Sequence, residues 1–131
     1  MDEIDRLAAA PYLLVTTFRR DGTAVPTPVW AARDGDGLVI WSAADAGKVK
    51  RIRRDGAVRL APCTARGRPT GTEVAGHALL LDSEGSERVR RLIAARYGLV
   101  GRVAMLGSRL RRGPTGTVGI RITVPAGPGT N

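Results

Sequence analysis

Leu38-Val39-Ile40-Trp41-Ser42-Ala43-Ala44-Asp45-Ala46-Gly47-Lys48-Val49-Lys50-Arg51-Ile52-Arg53-Arg54-Asp55 joins the end of a strand to a short, very basic helix. Leu38 and Ile40 alternate with Val39 and Trp41, the period of a β-strand emerging from the turn Asp34-Gly35-Asp36-Gly37. Asp45 is placed to cap a helix beginning near Ala46. The first N–H groups of such a helix lack intrahelical partners and carry partial positive charge, which suits an anion. Val49 and Ile52, three apart, can hold one helix face on a sheet, leaving Lys48, Lys50 and Arg51 to point elsewhere. A solvated amphipathic helix is the common alternative for such a segment. A solvated face usually mixes signs, however, and here five basic residues run from Lys48 to Arg54 without an acid. Ser42 adds a hydroxyl donor at the mouth of the strand-to-helix turn. The segment therefore predicts a phosphate site.

Upstream, Tyr12 to Phe18 is a β-rich run ending at Arg19-Arg20-Asp21-Gly22, and Asp-Gly is a hairpin signal. The next β-prone stretch, Thr23 to Arg33, contains Pro26 and Pro28, which cannot donate ladder bonds; it is expected at an edge, a bulge or a ligand-facing lip. Downstream, Ala57 to Cys63 and Thr72 to Leu81 read as strands around an Arg/Gly/Pro loop, Thr64 to Gly71. Ser86 is expected to cap a helix with the stripe Val89, Leu92, Ile93, Tyr97 that ends at Gly98. Leu99, Val103, Leu106 and Leu110 predict a further helix up to Gly113-Pro114. Val118, Ile120, Ile122 and Val124 alternate with Gly119, Arg121 and Thr123 as the last strand. Residues 1–124 are expected to form one α+β domain, a mainly antiparallel small β-barrel with short helices, followed by a flexible tail from Pro125 to Asn131.

The formal net charge of +9 calls for an anionic partner: nucleic acid, a membrane surface, or a phosphorylated or carboxylated small molecule. Nineteen of the 21 basic residues are Arg, a count that phosphate recognition or GC-rich coding would each produce. Single-stranded nucleic acid is the poorer fit, because one Phe, two Tyr and two Trp are few stacking platforms. The acidic N-terminus, with Ile4, Leu7 and Ala8 in a stripe, reads as a short helix and not as a signal peptide, and no stretch approaches the roughly 20 apolar residues of a membrane span. A cytoplasmic location is expected, in keeping with a single cysteine, Cys63, read as a core residue. The sole histidine, His77, and Tyr97 are read as strand and core residues, so no catalytic acid or base is nominated. A thin aliphatic core makes a homodimer a reasonable expectation.

The order of elements, together with Trp41-Ser42, Lys48, Arg53-Arg54-Asp55-Gly56-Ala57-Val58 and Pro26-Thr27-Pro28-Val29-Trp30, resembles the split β-barrel flavin-binding family typified by pyridoxamine 5'-phosphate oxidase, over roughly residues 4–124. The resemblance implies that Lys48 takes the phosphate of a flavin-type cofactor and that Thr27, Pro28, Val29 and Trp30 line its ring through backbone groups. Two departures mark the branch. Gly47 stands where an Arg usually precedes the lysine, and the C-terminal extension that grips pyridoxal phosphate is not seen after Val124. The runs Gly47-Lys48-Val49-Lys50-Arg51-Ile52 and Leu60-Ala61-Pro62-Cys63-Thr64-Ala65-Arg66-Gly67 look like the branch that uses the deazaflavin coenzyme F-420. This resemblance implies an oxidoreductase that passes hydride between the cofactor and an unsaturated small molecule, with flavin mononucleotide (FMN) or haem as alternative ligands and a carrier without turnover as a further reading. Trp41, Ser42, Lys48, Lys50 and Arg51 are the expected cofactor contacts, with Arg66 and Arg68 on the cofactor's carboxylate tail. The same resemblance places the cofactor at a homodimer interface, where Trp30 or Trp41 could pack on its ring.

Overall fold

The chain is short enough that nearly every apolar residue has to serve one interior, and alternation in the strands decides which side chains reach it. The computed structural model describes residues 2–112 and 116–125, with backbone alone for 99–112. In chain order the elements are α1 (Glu3–Ala9), β1 (Tyr12–Phe18), β2 (Ala24–Val29), β3 (Ala31–Asp34), β4 (Gly37–Ala43), α2 (Gly47–Arg54), β5 (Ala57–Cys63), β6 (Val74–Leu80), α3 (Ser83–Arg112) and β7 (Thr117–Thr123). All seven strands belong to one antiparallel sheet in the order β2-β1-β5-β6-β7-β4-β3. The two edge strands, β2 and β3, are consecutive in sequence and separated by Trp30 alone. The sheet therefore has to curl until its edges meet at that residue, which makes the α+β split barrel.

Leu13, Val15, Val29, Leu38, Ile40, Leu60, Ile120 and Ile122 fill the interior, joined by Ile4 and Leu7 of α1 and Val49 and Ile52 of α2. Full burial of each such side chain contributes roughly 1.5–3 kcal/mol. β4 is buried on both faces, because Val39 and Trp41 lie in an outer layer with Val89, Ile93 and Ala94 of α3. A smaller outer cluster joins Leu14, Ala61 and Cys63, with Tyr12 packed against it.

Three local expectations are corrected. The single strand over Thr23 to Arg33 is two strands, because the chain crosses between sheet edges at Trp30, whose indole stacks on Tyr97 with centroids 4.4 Å apart. The helix expected to be capped by Ser86 is capped four residues earlier: Asp82 Oδ1 accepts from Gly85 N at 2.8 Å, and Ser86 instead ties the helix to β7 by accepting from Gly119 N at 2.8 Å. The two helices expected on either side of Gly98 are both present within α3, divided at a kink where Gly98 is non-helical at φ 63° and ψ -139°. Asp45 does not cap α2; the N-cap is Ala46, with no side-chain hydrogen bond. The Gly113-Pro114 turn and, beyond Pro125, the tail lie outside the described residues.

α3 lies very close to β7 at Gly119. A Cβ built there would sit 2.8 Å from Val89 Cγ2 and 2.9 Å from Ser86 Cα, one a buried side chain and the other backbone. Gly119→Val is expected to destabilise the protein by about 1–3 kcal/mol, read as a lowered urea midpoint. An unchanged midpoint would contradict this packing.

Candidate functional site

α2 reaches the sheet with no acid in its first turn and three arginines in its last. Val49 N and Lys50 N donate to Ala46 O at 3.1 and 3.3 Å. The N–H groups of Gly47 and Lys48, at the first turn of the helix, have no acceptor among the described residues. Arg51, one turn on, folds back over this end: a Cβ at position 47 would lie 2.8 Å from its Nη1. Its Nε donates to the Oγ1 of Thr17, a fully buried β1 residue, at 2.7 Å. Lys48 is half-buried, and burial, reinforced by the charge of Arg51, holds its pKa below the usual lysine value. Among the described residues no carboxylate pairs with Lys48, Lys50 or Arg51. Two crowded cations beside free helix N–H groups form a site an anion would stabilise.

β2 supplies the neighbouring lip. Arg19 N donates to Thr23 O at 2.9 Å, so alternation along the ladder makes Thr17–Val25, Val15–Thr27 and Leu13–Val29 the hydrogen-bonded pairs. Pro26 and Pro28 then turn their backbones to the free edge, where they offer carbonyl oxygens and no N–H. Their lack of a donor costs no ladder bond, and it prevents another strand from adding to this edge. Thr27 shares the inner face with Thr17, diagonally across the pair at roughly 7–8 Å, which brings it toward the Arg51 end of the cradle. Val29 is buried in the core and its backbone is paired with Leu13, so the free polar groups of this lip are the Pro26 and Pro28 carbonyls.

The other expected site residues divide. Ser42 is buried on the inner face, donating to Ala43 O at 3.1 Å, while Trp41 lies on the opposite face of β4 under α3. Trp41 Nε1 is buried with no hydrogen-bond partner among the described residues. One face of Trp30 is taken by Tyr97, whose hydroxyl donates to Pro11 O at 3.0 Å. Lys50 is exposed on α2. Arg66 and Arg68 are exposed on a loop pinned by Gly67 N to Thr64 O at 2.9 Å and Thr70 N to Pro62 O at 2.8 Å, and that loop lines a depression of about 670 Å³. Gly67 rests near Leu14 and Pro28, so this loop and the β2 lip adjoin. Thr17 was not among the expected site residues. Its signal was parity: it shares a strand face with Leu13 and Val15 yet carries a hydroxyl that needs a partner once buried.

Fold and site together define a split-barrel protein with an anion cradle at the start of a helix. The family profile described as pyridoxamine 5'-phosphate oxidase matches residues 1–125, and the chain belongs to that family. No curated protein sequence matches it. Similar solved structures include HutZ, the haem storage protein of Vibrio cholerae, at TM-score 0.68 and 11% identity over 94% of this chain and 87% of that one. A conserved hypothetical protein of Mycobacterium tuberculosis has TM-score 0.68 and 20% identity over 96% and 82% of the respective chains. An F420 reductase has TM-score 0.61 and 19% identity over 96% of both. At these identities the likeness speaks for the fold.

Two outcomes follow from the cradle. In Gly47→Ala the new methyl displaces the Arg51 guanidinium, so sulfate affinity, measured by calorimetry, falls several-fold, while the helix gain of up to about 1 kcal/mol is offset by strain on the Arg51–Thr17 hydrogen bond. Sulfate binding should also weaken with rising pH, because the anion favours charged Lys48 and the lowered pKa means that charge is lost earlier than in an ordinary lysine. Sulfate keeps its own charge over this range, so Lys48→Arg should flatten the profile.

Proposed function

We propose that the protein is an oxidoreductase that binds coenzyme F-420 and reduces an unsaturated small molecule. The observation that carries this reading is the cradle of free Gly47 and Lys48 N–H groups, Lys48 and Arg51, which suits a phosphate beside a lip of β2 backbone. Gly47 fits the departure noted in the sequence: lacking a side chain, it leaves room for the Arg51 guanidinium at the place where relatives carry the arginine before the lysine. In this reading Lys48, Arg51 and the N–H groups hold the phosphate, and Ser42 stands at the mouth. Thr27, the Pro26 and Pro28 carbonyls, and the backbone of Trp30 orient the ring, Val29 packs beneath from the core, and Trp41 supports β4 from behind. Lys50, Arg66 and Arg68 lie on the path of an anionic tail. A bound deazaflavin supplies two-electron hydride chemistry, so the chain need only bind, orient and exclude water. That demand matches a site without a placed acid or base.

FMN is the second reading, since one phosphate would fill the same cradle. A homodimer is part of the proposal. α3 covers the outer face of β3, β4 and β7, but Ala57, Ala75, His77 and Leu79 on the outer face of β5 and β6 are exposed, Leu79 by 61%. Among the described residues no helix is long and apolar enough to cross a membrane.

The reading is tested by titrating the protein with oxidised coenzyme F-420 and, separately, FMN, following cofactor fluorescence. Tight binding of the deazaflavin, weakened at least about tenfold in Lys48→Ala, is the expected result. Preference for FMN would transfer the assignment to the flavin, and binding of neither would remove it.

A further inference from the structure

Beside the cradle, the β1–β2 turn and α2 enclose a second concavity of about 280 Å³, lined by Arg19, Arg20, Lys50, Arg51 and Arg54. All five side chains are cationic. Two are held in place by β1, for Arg51 donates to Thr17 Oγ1 and Arg54 donates to the carbonyl of Phe18. The turn carrying the other two arginines is tied by Gly22 N to Arg19 O and Arg19 N to Thr23 O, both at 2.9 Å. The nearby acids accept from backbone: Asp21 Oδ1 from Thr23 N at 3.0 Å, with its charge also felt by Arg19, and Asp55 Oδ1 from Ala57 N at 3.0 Å. Among the described residues no carboxylate pairs with any of the five cations. Like charges crowded in this way repel until an anion lies among them, and guanidinium groups already immobilised lose little freedom on binding one.

Arg51 belongs to both places. Its Nη1 lies against the Gly47 end of α2, while the same side chain forms a wall of the second concavity. We propose that the two are subsites of one site for a small polyanion. A phosphate sits at Lys48, Arg51 and the α2 N–H groups, and a second anionic group, phosphate or carboxylate, sits among Arg19, Arg20, Lys50 and Arg54. The proposal rests on the phosphate reading of the cradle and adds a ligand class to it: the natural ligand carries at least two anionic groups, and a monophosphate leaves half the site unused. Arg19 and Arg20 are then specificity residues located on a hairpin turn.

The test uses inorganic probes, so it stands whichever cofactor is bound. Calorimetry at low salt compares phosphate, tripolyphosphate and a long single-stranded oligonucleotide on the intact protein, on Arg19→Ser/Arg20→Ser, on Lys48→Ala, and on Arg59→Ser/Arg91→Ser as a charge-matched control. Circular dichroism and thermal melting verify that each variant is folded. Tripolyphosphate is expected to bind the unaltered protein at least about tenfold more tightly than phosphate. Arg19→Ser/Arg20→Ser should remove that advantage and leave phosphate unchanged, Lys48→Ala should weaken both, and the control should shift neither by more than about twofold. Equal losses in the turn variant and the control would overturn the proposal in favour of a diffuse field, as would an advantage that survives the loss of both turn arginines. An oligonucleotide preferred over tripolyphosphate would overturn it in favour of nucleic acid. If Lys48→Ala leaves phosphate unchanged while the turn variant still loses tripolyphosphate, the phosphate reading of the cradle fails, and with it the joining of the two subsites.

Discussion

The passage of the chain from one sheet edge to the other at Trp30 is the constraint on which the rest of the structure depends. β2 pairs only with β1 and β3 only with β4, yet a single residue separates them. A flat seven-stranded sheet would hold its edges some six strand spacings apart, about 29 Å, so continuity at Trp30 requires closure. The corner is held from outside: Tyr97 stacks on the indole, Arg96 Nε donates to Ala31 O at 2.9 Å, and Arg96 Nη2 donates to Ala10 O at 2.7 Å. Closure creates an inner face for Leu13, Val15 and Ile40, and it leaves β2 with a free edge at which two prolines are harmless.

The cradle results from leaving helix N–H groups unsatisfied and gathering cations around them. An acidic cap would have stabilised α2 and competed with any anion for those donors. α2 instead has Ala46 at its N-cap, glycine at its first position and Arg51 folded back over it. Its place is maintained by Val49 and Ile52 in the barrel interior. The cost of burying Lys48 and of setting it beside Arg51, which together lower its pKa, is thus carried by apolar packing.

Much of this was legible in the sequence, because alternation and turn chemistry act locally. β1 and β5 have the expected limits, and β4 and β7 differ from them by one residue at either end. The basic run from Lys48 to Arg54 was equally legible, as was the dependence of the β2 prolines on an edge, whereas the helix start, expected to be capped by Asp45, has Ala46 there instead. The misplaced features have a common physical origin. Asp82 rather than Ser86 caps α3 because Ser86 bonds to β7, a strand 33 residues away in sequence, and Trp30 divides one β-prone run because two distant edges meet there.

The sequence by itself determined the strand alternation, the concentration of cations at the start of α2 and the family resemblance, since these follow from residue type and short-range spacing. Only the tertiary structure decided that Thr17 anchors Arg51, that Val29 faces inward while Pro28 faces the free edge, and that Arg19 and Arg20 share a concavity with α2. Each of these is a contact between segments far apart along the chain. Their geometry depends on the closure and register of the barrel, which no local spacing encodes.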